Sequence, residues 1–216
     1  SDGFSDYEGP VNFTTSCDAE TAPYDENFDA GDFDDVNDTI DDCWGRSNDG
    51  SGFSWEVNSG PTTSGPSTGP DNDVTGGGNY LFTEASFPFQ SGDETFLNLP
   101  PVDLSNLTVP TITFFYHMFD DGQDEMGTLS VEVKDESDSN YTEVFSKTGQ
   151  QQSNTDDAFI EGFIDLTEYG FDNQTVDIRF KGVRGDGFRS DIAIDEVSVE
   201  EAPPCPQPDI DDVTLV

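Results

Sequence analysis

The chain has 216 residues, enough for one large domain or two small ones, and its 32% hydrophobic and 12% aromatic content supports a buried core. Aspartate and glutamate number 47 against 7 lysines and arginines, which gives a formal net charge of −40. Such a surface repels nucleic acid and anionic lipid over a Debye length of about 8–10 Å, and it attracts cations. We therefore expect no nucleic-acid partner, and, because no run of about 18 apolar residues occurs, no membrane insertion. The acidic, lysine-poor composition is typical of a protein secreted into a salty environment or held at the cell surface.

The chain divides into three parts. Residues 1–22 read as an N-terminal extension or linker, and residues 23–201 as one domain. Residues 202–216 begin with the proline-rich "APPCPQP" and end in a segment that resembles the first strand of a following module. We therefore expect other modules of the same chain to be among its partners.

An acidic segment opens the domain. Residues 24–42, "YDENFDAGDFDDVNDTIDD", contain no lysine or arginine. Carboxylate oxygens in this number favour Ca²⁺, which takes six to eight oxygen ligands and tolerates irregular geometry. The alternative is a solvated acidic face, and the spacing of an EF-hand loop is absent.

Three cysteines, Cys17, Cys43 and Cys205, are compatible with one disulfide and one odd thiol. None forms a CxxC pair. Because the chain has a single histidine, a Cys/His zinc site is not expected.

Period-two alternation recurs from Tyr80 onward, whereas helical periodicity is almost absent. Many short strands between Gly, Asn and Asp turns predict an all-β sandwich of antiparallel sheets. Residues 59–78, rich in Gly, Pro, Ser and Thr, predict a long surface loop. The predicted strands lie in 79–86, 95–99, 111–118, 127–134, 141–146, 159–166 and 176–182.

The last predicted strand, "SDIAIDEVSVE", contains an acid on an apolar face. Either Asp195 shares the inner side with Val197 and Val199, or a bulge switches parity between Ile194 and Val197. A buried carboxylate needs hydrogen-bond donors, a basic partner or a metal. Because the chain has so few basic residues, this position favours a metal as the partner of Asp195.

In chain order, several motifs together resemble the MAM domain of meprins, neuropilins and receptor tyrosine phosphatases, in the version found in secreted bacterial proteins. The motifs are "ENFD" (26–29), the stretch from "CWGRSNDG" to "LFTEAS" (43–86), "FFYHMF" with "MGTLSVEV" (114–133), "SKTGQQQ" (146–152) and "FKGVRGDGFRSDIAIDEVSV" (180–199).

The resemblance implies a jelly-roll-like sandwich with a structural cation, here Ca²⁺, where the first and last strands meet. It also implies a disulfide between Cys17 and Cys43. Where animal members often read Asp-His-Thr, this chain has Asp73-Val74-Thr75. The ligands that the resemblance implies are Glu26, Asp29, Asp71 or Asp73, Glu84 and Asp195.

No catalytic arrangement stands out, so we expect a binding module rather than an enzyme. The lone His117 lies within a strand and no Gly-x-Ser-x-Gly elbow occurs, which disfavours a hydrolase triad. A glycosidase needs two carboxylates, but nothing singles out a pair. We expect an extracellular polysaccharide as partner, with a marine algal polysaccharide such as a sulfated galactan as the leading candidate. The alternative is a cell-surface adhesion domain that binds protein or itself, as the resembling animal domains do.

Sugar binding requires aromatic faces and planar polar donors. The aromatic candidates are also plausible core residues, above all Trp55 and Tyr116. Arginine forks suit sulfate or carboxylate groups, although each can instead pair with a neighbouring aspartate. The candidate ligand-binding residues are Arg46, Trp55, Tyr116, His117, Phe119, Arg184, Phe188 and Arg189.

Overall fold

A computed structural model describes residues 17–62 and 66–204. The strands are β1 Glu20–Thr21, β2 Tyr24–Glu26, β3 Gly45–Asn48, β4 Trp55–Ser59, β5 Asn79–Thr83, β6 Glu94–Asn98, β7 Val102–Asp103, β8 Pro110–Met118, β9 Thr128–Asp135, β10 Thr142–Thr148, β11 Ile160–Asp165, β12 Thr175–Val183 and β13 Ile192–Glu201. The helical segment in this part of the chain is a 3-10 turn, Leu166–Tyr169, far too short to cross a membrane. The prediction of an all-β chain is confirmed.

The strands form two sheets. In the seven-stranded sheet the order is β1-β7-β12-β6-β3, with β9 on the other side of β12 and β10 beyond it. In the six-stranded sheet the order is β11-β8-β13-β5-β4, with β2 also paired to β13. All pairings are antiparallel except the short parallel pair of β1 and β7. The sandwich of two antiparallel sheets is therefore confirmed, with that one parallel exception.

The core lies between the sheets because one side chain in two points inward from each long strand. In β12, Val176, Ile178 and Phe180 are buried while the residues between them are half-exposed. From the facing sheet, Phe114 packs on Phe180 with ring centroids 5.0 Å apart. The alternation predicted for 111–118, 127–134 and 176–182 is confirmed in β8, β9 and β12.

A bulge near the middle of β13 settles the two alternatives for this strand. The register with β8 shifts between Asp195 and Ser198, and Glu196 has a φ of +49°. Ile194 before the shift and Val197 after it both enter the core. The bulge thus keeps the inner face apolar on both sides of the shift, and it leaves Asp195 on the outer side of the sheet.

A disulfide and a short first strand define the N-terminal end of the described domain. A disulfide joins Cys17 to Cys43, with an S–S distance of 2.09 Å. Strand β1 lies before the predicted domain start at residue 23. Residues 1–16 lie outside the described residues, as do Cys205 and the rest of the predicted following module.

Candidate functional site

Two segments cover part of the outer face of the six-stranded sheet. We call residues 66–74 and 152–159 the rim loops. Asp71 donates its backbone N–H to the carbonyl of Thr155 at 2.9 Å, which ties the rim loops together. Gln152 fixes the second loop to β8, because its side-chain oxygen accepts from the N–H of Met118 at 2.7 Å. The sheet and the rim loops therefore enclose space outside the core.

That space is a pocket of about 380 Å³. Phe115 of β8 forms its base and Phe159 of the second rim loop a wall, so two aromatic side chains border it. Four aspartates also line it, whereas no lysine or arginine is among the described lining residues. The lining residues are Pro70, Asp71, Asn72, Asp73, Val74, Phe115, Thr155, Asp156, Asp157, Ala158 and Phe159.

His117 lies next to this pocket, beneath Phe159. Its ring centroid is 5.4 Å from that of Phe159, and the residue is completely buried. Neither ring nitrogen makes a hydrogen bond of good geometry within the described residues, although the backbone of Asn154 lies close to the ring. Burial lowers the pKa of His117 to about 4, while the Asn154 backbone and the charges of Asp157 and Asp71 act in the opposite direction. His117 is therefore neutral near pH 7 and adds no positive charge to the acidic pocket.

An acidic cluster borders the pocket where the bulge of β13 meets the first rim loop. Asp195 is 1% exposed, and its carboxylate accepts from the backbone N–H groups of Val74 at 2.9 Å and Glu196 at 2.8 Å. Burial raises the pKa of Asp195 to about 7, and the nearby charges of Glu196 and Asp73 raise it further against these two hydrogen bonds. Asp195 also pairs across the sheet with Phe115, which joins the cluster to the pocket.

Asp73 is shared by the cluster and the pocket. Burial opposes ionisation of its carboxylate, but hydrogen bonds from Thr75 and from the N–H groups of Gly77 and Gly78 outweigh burial and lower its pKa. Asp29 approaches from the segment after β2, where its carboxylate accepts from the N–H of Asn79 at 2.7 Å. Asp73 is therefore held as an anion on the wall of the pocket.

The donor chemistry of this cluster fits a hard cation. Asp29, Asp73 and Asp195 supply carboxylate oxygens, and a carboxylate that accepts one N–H still has lone pairs for a metal. Asp29 and Asp73 are also the charges that, after burial, raise the pKa of Glu196. Across residues 17–62 and 66–204, however, no three His, Cys, Asp or Glu side chains lie close enough together to hold a metal as they stand. A cation would have to draw these carboxylates inward.

The structure separates the other predicted metal ligands from Asp195. Glu26 accepts from the N–H of Phe28 at 2.8 Å and interacts with Asp41 rather than Asp73. Asp71 lines the pocket. Glu84 belongs to a different set of acids, described below. Four of the six predicted positions are thus near the cluster or the pocket, and Glu26 and Glu84 lie apart because their strands direct them elsewhere.

The predicted aromatic ligand contacts lie mostly inside the protein. Trp55 is completely buried and Tyr116 is 2% exposed, both in the core between the sheets. Phe119 is also buried, whereas Phe188 is 40% exposed. Trp55 on β4 and Tyr116 on β8 point into the core between the sheets, so neither side chain can contact a ligand at the surface.

The predicted arginines are held by internal partners. Arg184 is 7% exposed and donates to the carbonyls of Ala85 at 2.7 Å and Gly185 at 3.1 Å. Arg189 pairs with Glu125 at 3.2 Å and stacks on Phe188. Arg46 pairs with Asp38 at 2.8 Å. These arginines therefore interact with neighbouring groups of the protein, which was the alternative to ligand binding. None of them lines the pocket.

Sequence reasoning did not identify the two aromatic pocket residues, Phe115 and Phe159. Parity gave a signal for Phe115, because it lies on the face of β8 opposite Phe114 and Tyr116. No such signal marked Phe159, since it lies just before β11 in a loop whose position depends on long-range contacts.

The two-sheet sandwich and its loop-covered pocket define a class of all-β binding modules. Within that class, the sequence pattern described as MAM domain, meprin/A5/mu, matches residues 31–206, and the chain belongs to this family. It is 36% identical over 137 residues to human MAM domain-containing protein 2, which covers 63% of this chain and 18% of that protein. It is 29% identical over 208 residues to mouse MAM domain-containing glycosylphosphatidylinositol anchor protein 1, which covers 95% of this chain and 19% of the relative. The chain thus spans about a fifth of the length of these relatives.

Among solved structures, the K1 cleaved adhesin domain of Lys-gingipain from Porphyromonas gingivalis W83 has a similar fold. The TM-score is 0.57 at 17% sequence identity, with 84% of this chain and 99% of that chain covered. At this identity the likeness concerns the fold alone.

Proposed function

We propose that this domain is a non-catalytic, extracellular binding module that binds a polysaccharide in the pocket beneath the rim loops. The observation that carries the proposal is that two aromatic side chains, Phe115 and Phe159, and four aspartates line one pocket of about 380 Å³. Sugar rings stack on aromatic faces through their C–H groups, and carboxylates accept hydrogen bonds from hydroxyls.

The charge of the pocket favours a neutral glycan. No lysine or arginine lines it in the described residues, and burial keeps the neighbouring His117 neutral. A sulfate or carboxylate on the sugar would face four aspartates in a protein of net charge −40. Among algal polysaccharides, we therefore expect neutral glucans such as laminarin to bind in preference to sulfated galactans.

We further propose that Ca²⁺ binds the cluster of Asp29, Asp73, Asp195 and Glu196 and stabilises the pocket. The support is the buried Asp195, which has two N–H donors but no basic partner among the described residues. Because Asp73 belongs to both cluster and pocket, a bound cation would fix the first rim loop.

Isothermal titration and affinity electrophoresis with laminarin, alginate, fucan and an algal galactan test the proposal. Phe159→Ala should weaken laminarin binding by about tenfold or more, which corresponds to about 1.4 kcal/mol. Phe163→Ala is the matched control: this phenylalanine is 51% exposed on β11 and does not line the pocket, so its loss should leave affinity unchanged. Equal losses in both variants, or preference for the sulfated galactan, would contradict the proposed site. Turnover of any of these glycans would contradict its non-catalytic character.

Adhesion is a second candidate, and the edge of the six-stranded sheet favours it. Strand β11 is the outermost strand on that side, and it exposes Phe163 by 51% and Ile160 by 37%. An apolar edge strand is a template for pairing with another chain. Self-association on a sizing column that Phe163→Asp abolishes, together with no glycan binding, would favour adhesion.

A further inference from the structure

A second group of acids lies on the outer face of the six-stranded sheet, beyond the N-terminal end of β13. Ala193 pairs with Phe82 and Ile194 with Leu81. If this register continues by two residues, Asp191 lies directly opposite Glu84. Side chains in such positions have Cβ atoms about 4.5–5.5 Å apart, where like charges are destabilising.

One of the two carboxylates is fully enclosed. Asp191 is 0% exposed, and its Oδ1 accepts from the N–H of Ala85 at 2.9 Å. Its Oδ2 is buried and has no hydrogen-bond partner among the described residues. Arg184 lies nearby but donates to the carbonyls of Ala85 and Gly185 instead. An unsatisfied carboxylate oxygen in the interior is costly, and the described residues supply no partner for Oδ2.

The surrounding charges indicate the kind of partner. Burial raises the pKa of Asp191 well above its usual range, and the charges of Glu84 and Glu56 raise it further, against the nearby guanidinium of Arg184. A cation beside Oδ2 would favour the ionised form of Asp191 that burial and these two acids oppose.

We propose that Asp191 Oδ2 and the Glu84 carboxylate bind a divalent cation, with Ca²⁺ as the fitting ion. Ca²⁺ accepts carboxylate, carbonyl, hydroxyl and water oxygens in irregular geometry, so two carboxylates suffice as its charged ligands. The buried hydroxyl of Thr68, which accepts from the N–H of Asp191 at 3.2 Å, is a neutral oxygen beside the site.

This site is distinct from the cluster around Asp195. Asp195 lies four residues further along the chain and pairs with Phe115 rather than with Glu84. Four residues of extended strand span about 13 Å, too far for one ion to bridge. An ion at Asp191 and Glu84 would join β13 to the end of β5. An ion at the Asp195 cluster would join the bulge of β13 to the first rim loop.

The test is calcium stoichiometry in the folded domain after chelator treatment, measured by equilibrium dialysis with elemental analysis and by calorimetric titration. A background of about 0.5 M KCl screens diffuse binding to the acidic surface. The wild type should bind two equivalents of Ca²⁺. Glu84→Gln and Asp191→Asn should each lose one equivalent, while Asp195→Asn should lose the other. Glu161→Gln removes an exposed acid on β11 and should retain both.

The outcomes separate the two cation sites. Loss of an equivalent in Glu84→Gln but not in Asp195→Asn supports the Asp191 site even if the Asp195 cluster binds nothing. Wild-type stoichiometry and affinity in both Glu84→Gln and Asp191→Asn would overturn it, and a buried water or a proton shared by two carboxyls would then account for Oδ2. If Asp191→Asn fails to fold, Glu84→Gln decides, because Glu84 is half-exposed and its amide conserves volume.

Discussion

The two outer faces of the sandwich treat their acidic residues differently. On the seven-stranded sheet, acids meet bases across neighbouring strands: Lys134 pairs with Asp177 at 2.8 Å and Lys181 with Glu94 at 2.7 Å. Arg179 pairs with Glu132 and lies between the rings of Phe96 and Tyr141, at 4.2 and 3.8 Å from their centroids. This face is covered by its own ladder of charged side chains.

The outer face of the six-stranded sheet has carboxylates without such partners. Asp191 and Asp195 are both buried there, and backbone N–H groups supply their hydrogen bonds. Loops rather than side chains cover this face. In a protein with 47 acids and 7 bases, side-chain ion pairs balance the acids of the seven-stranded face, whereas backbone amides are the main donors to the buried carboxylates of the six-stranded face.

Removal of the proposed calcium ions from the six-stranded face should have the strongest effect on stability. A ligand held at about 1,000 times its dissociation constant stabilises the folded state by about 4 kcal/mol per site. Chelator should therefore lower the free energy of unfolding by several kcal/mol, measured by urea denaturation with and without Ca²⁺ in 0.5 M KCl.

Asp195→Asn provides the contrast for that measurement. In chelator, the amide removes a buried charge but replaces one of the two oxygens that accept an N–H, so the stability of the variant should be close to that of the wild type. In calcium, the same variant should be less stable because it lacks a ligand. A wild-type stability that is identical with and without calcium would show that amides alone maintain this face.

Much of the fold could be predicted from the sequence because alternation reports which side chains point inward. The pattern of β12 shows it: Asp177, Arg179 and Lys181 alternate with core residues, and each finds a partner on a neighbouring strand. The same logic gave the bulge in β13 as one of two alternatives, since Ile194 and Val197 cannot both face inward without a shift of parity.

The site was less predictable because it depends on register and on loops. Glu84 was grouped with Asp195, yet the register of β5 with β13, continued by two residues, puts it opposite Asp191. Parity could have flagged Asp191, which shares its side of the strand with Asp195. The segment 59–78 was predicted as a long surface loop. Apart from Ser59, which ends β4, no strand forms in its described part, but residues 70–74 line the pocket and contact a loop about 80 residues away.

An intermediate effect concerns His117 and pH. Its folded-state pKa of about 4 lies below the ordinary value of 6.5, because burial disfavours the charged ring. As pH falls from 6.5 towards 4, the unfolded chain gains a proton that the folded protein does not, so stability decreases by roughly 3 kcal/mol. Below about pH 4 this contribution levels off.

The measurement compares urea unfolding of the wild type and His117→Gln from pH 7 to pH 4. Asp191 and Asp195, whose pKa values are raised, give contributions of opposite sign, but both proteins contain them and they cancel in the difference. The variant should lose less stability than the wild type as pH falls. Parallel profiles would mean that the histidine gains a proton acceptor or water on protonation.

The smallest effect tests the seven-stranded face. Arg179→Lys keeps the charge opposite Glu132 but replaces a planar guanidinium that contacts two rings with an ammonium that cannot stack between them. Because this site is partly exposed, we expect a loss of about 1 kcal/mol. Lys181→Gln, which breaks a partly exposed ion pair with Glu94 and a 5.7 Å contact with the Phe96 ring, should cost about 0.5 kcal/mol or less. Urea denaturation at low and high salt separates the contribution of the ion pair from that of the stacking contact, because salt screens the ion pair and leaves the stacking contact unchanged. If Arg179→Lys matched the wild type at high salt, the ladder would depend on charge alone, and the two faces would differ in charge balance rather than in packing.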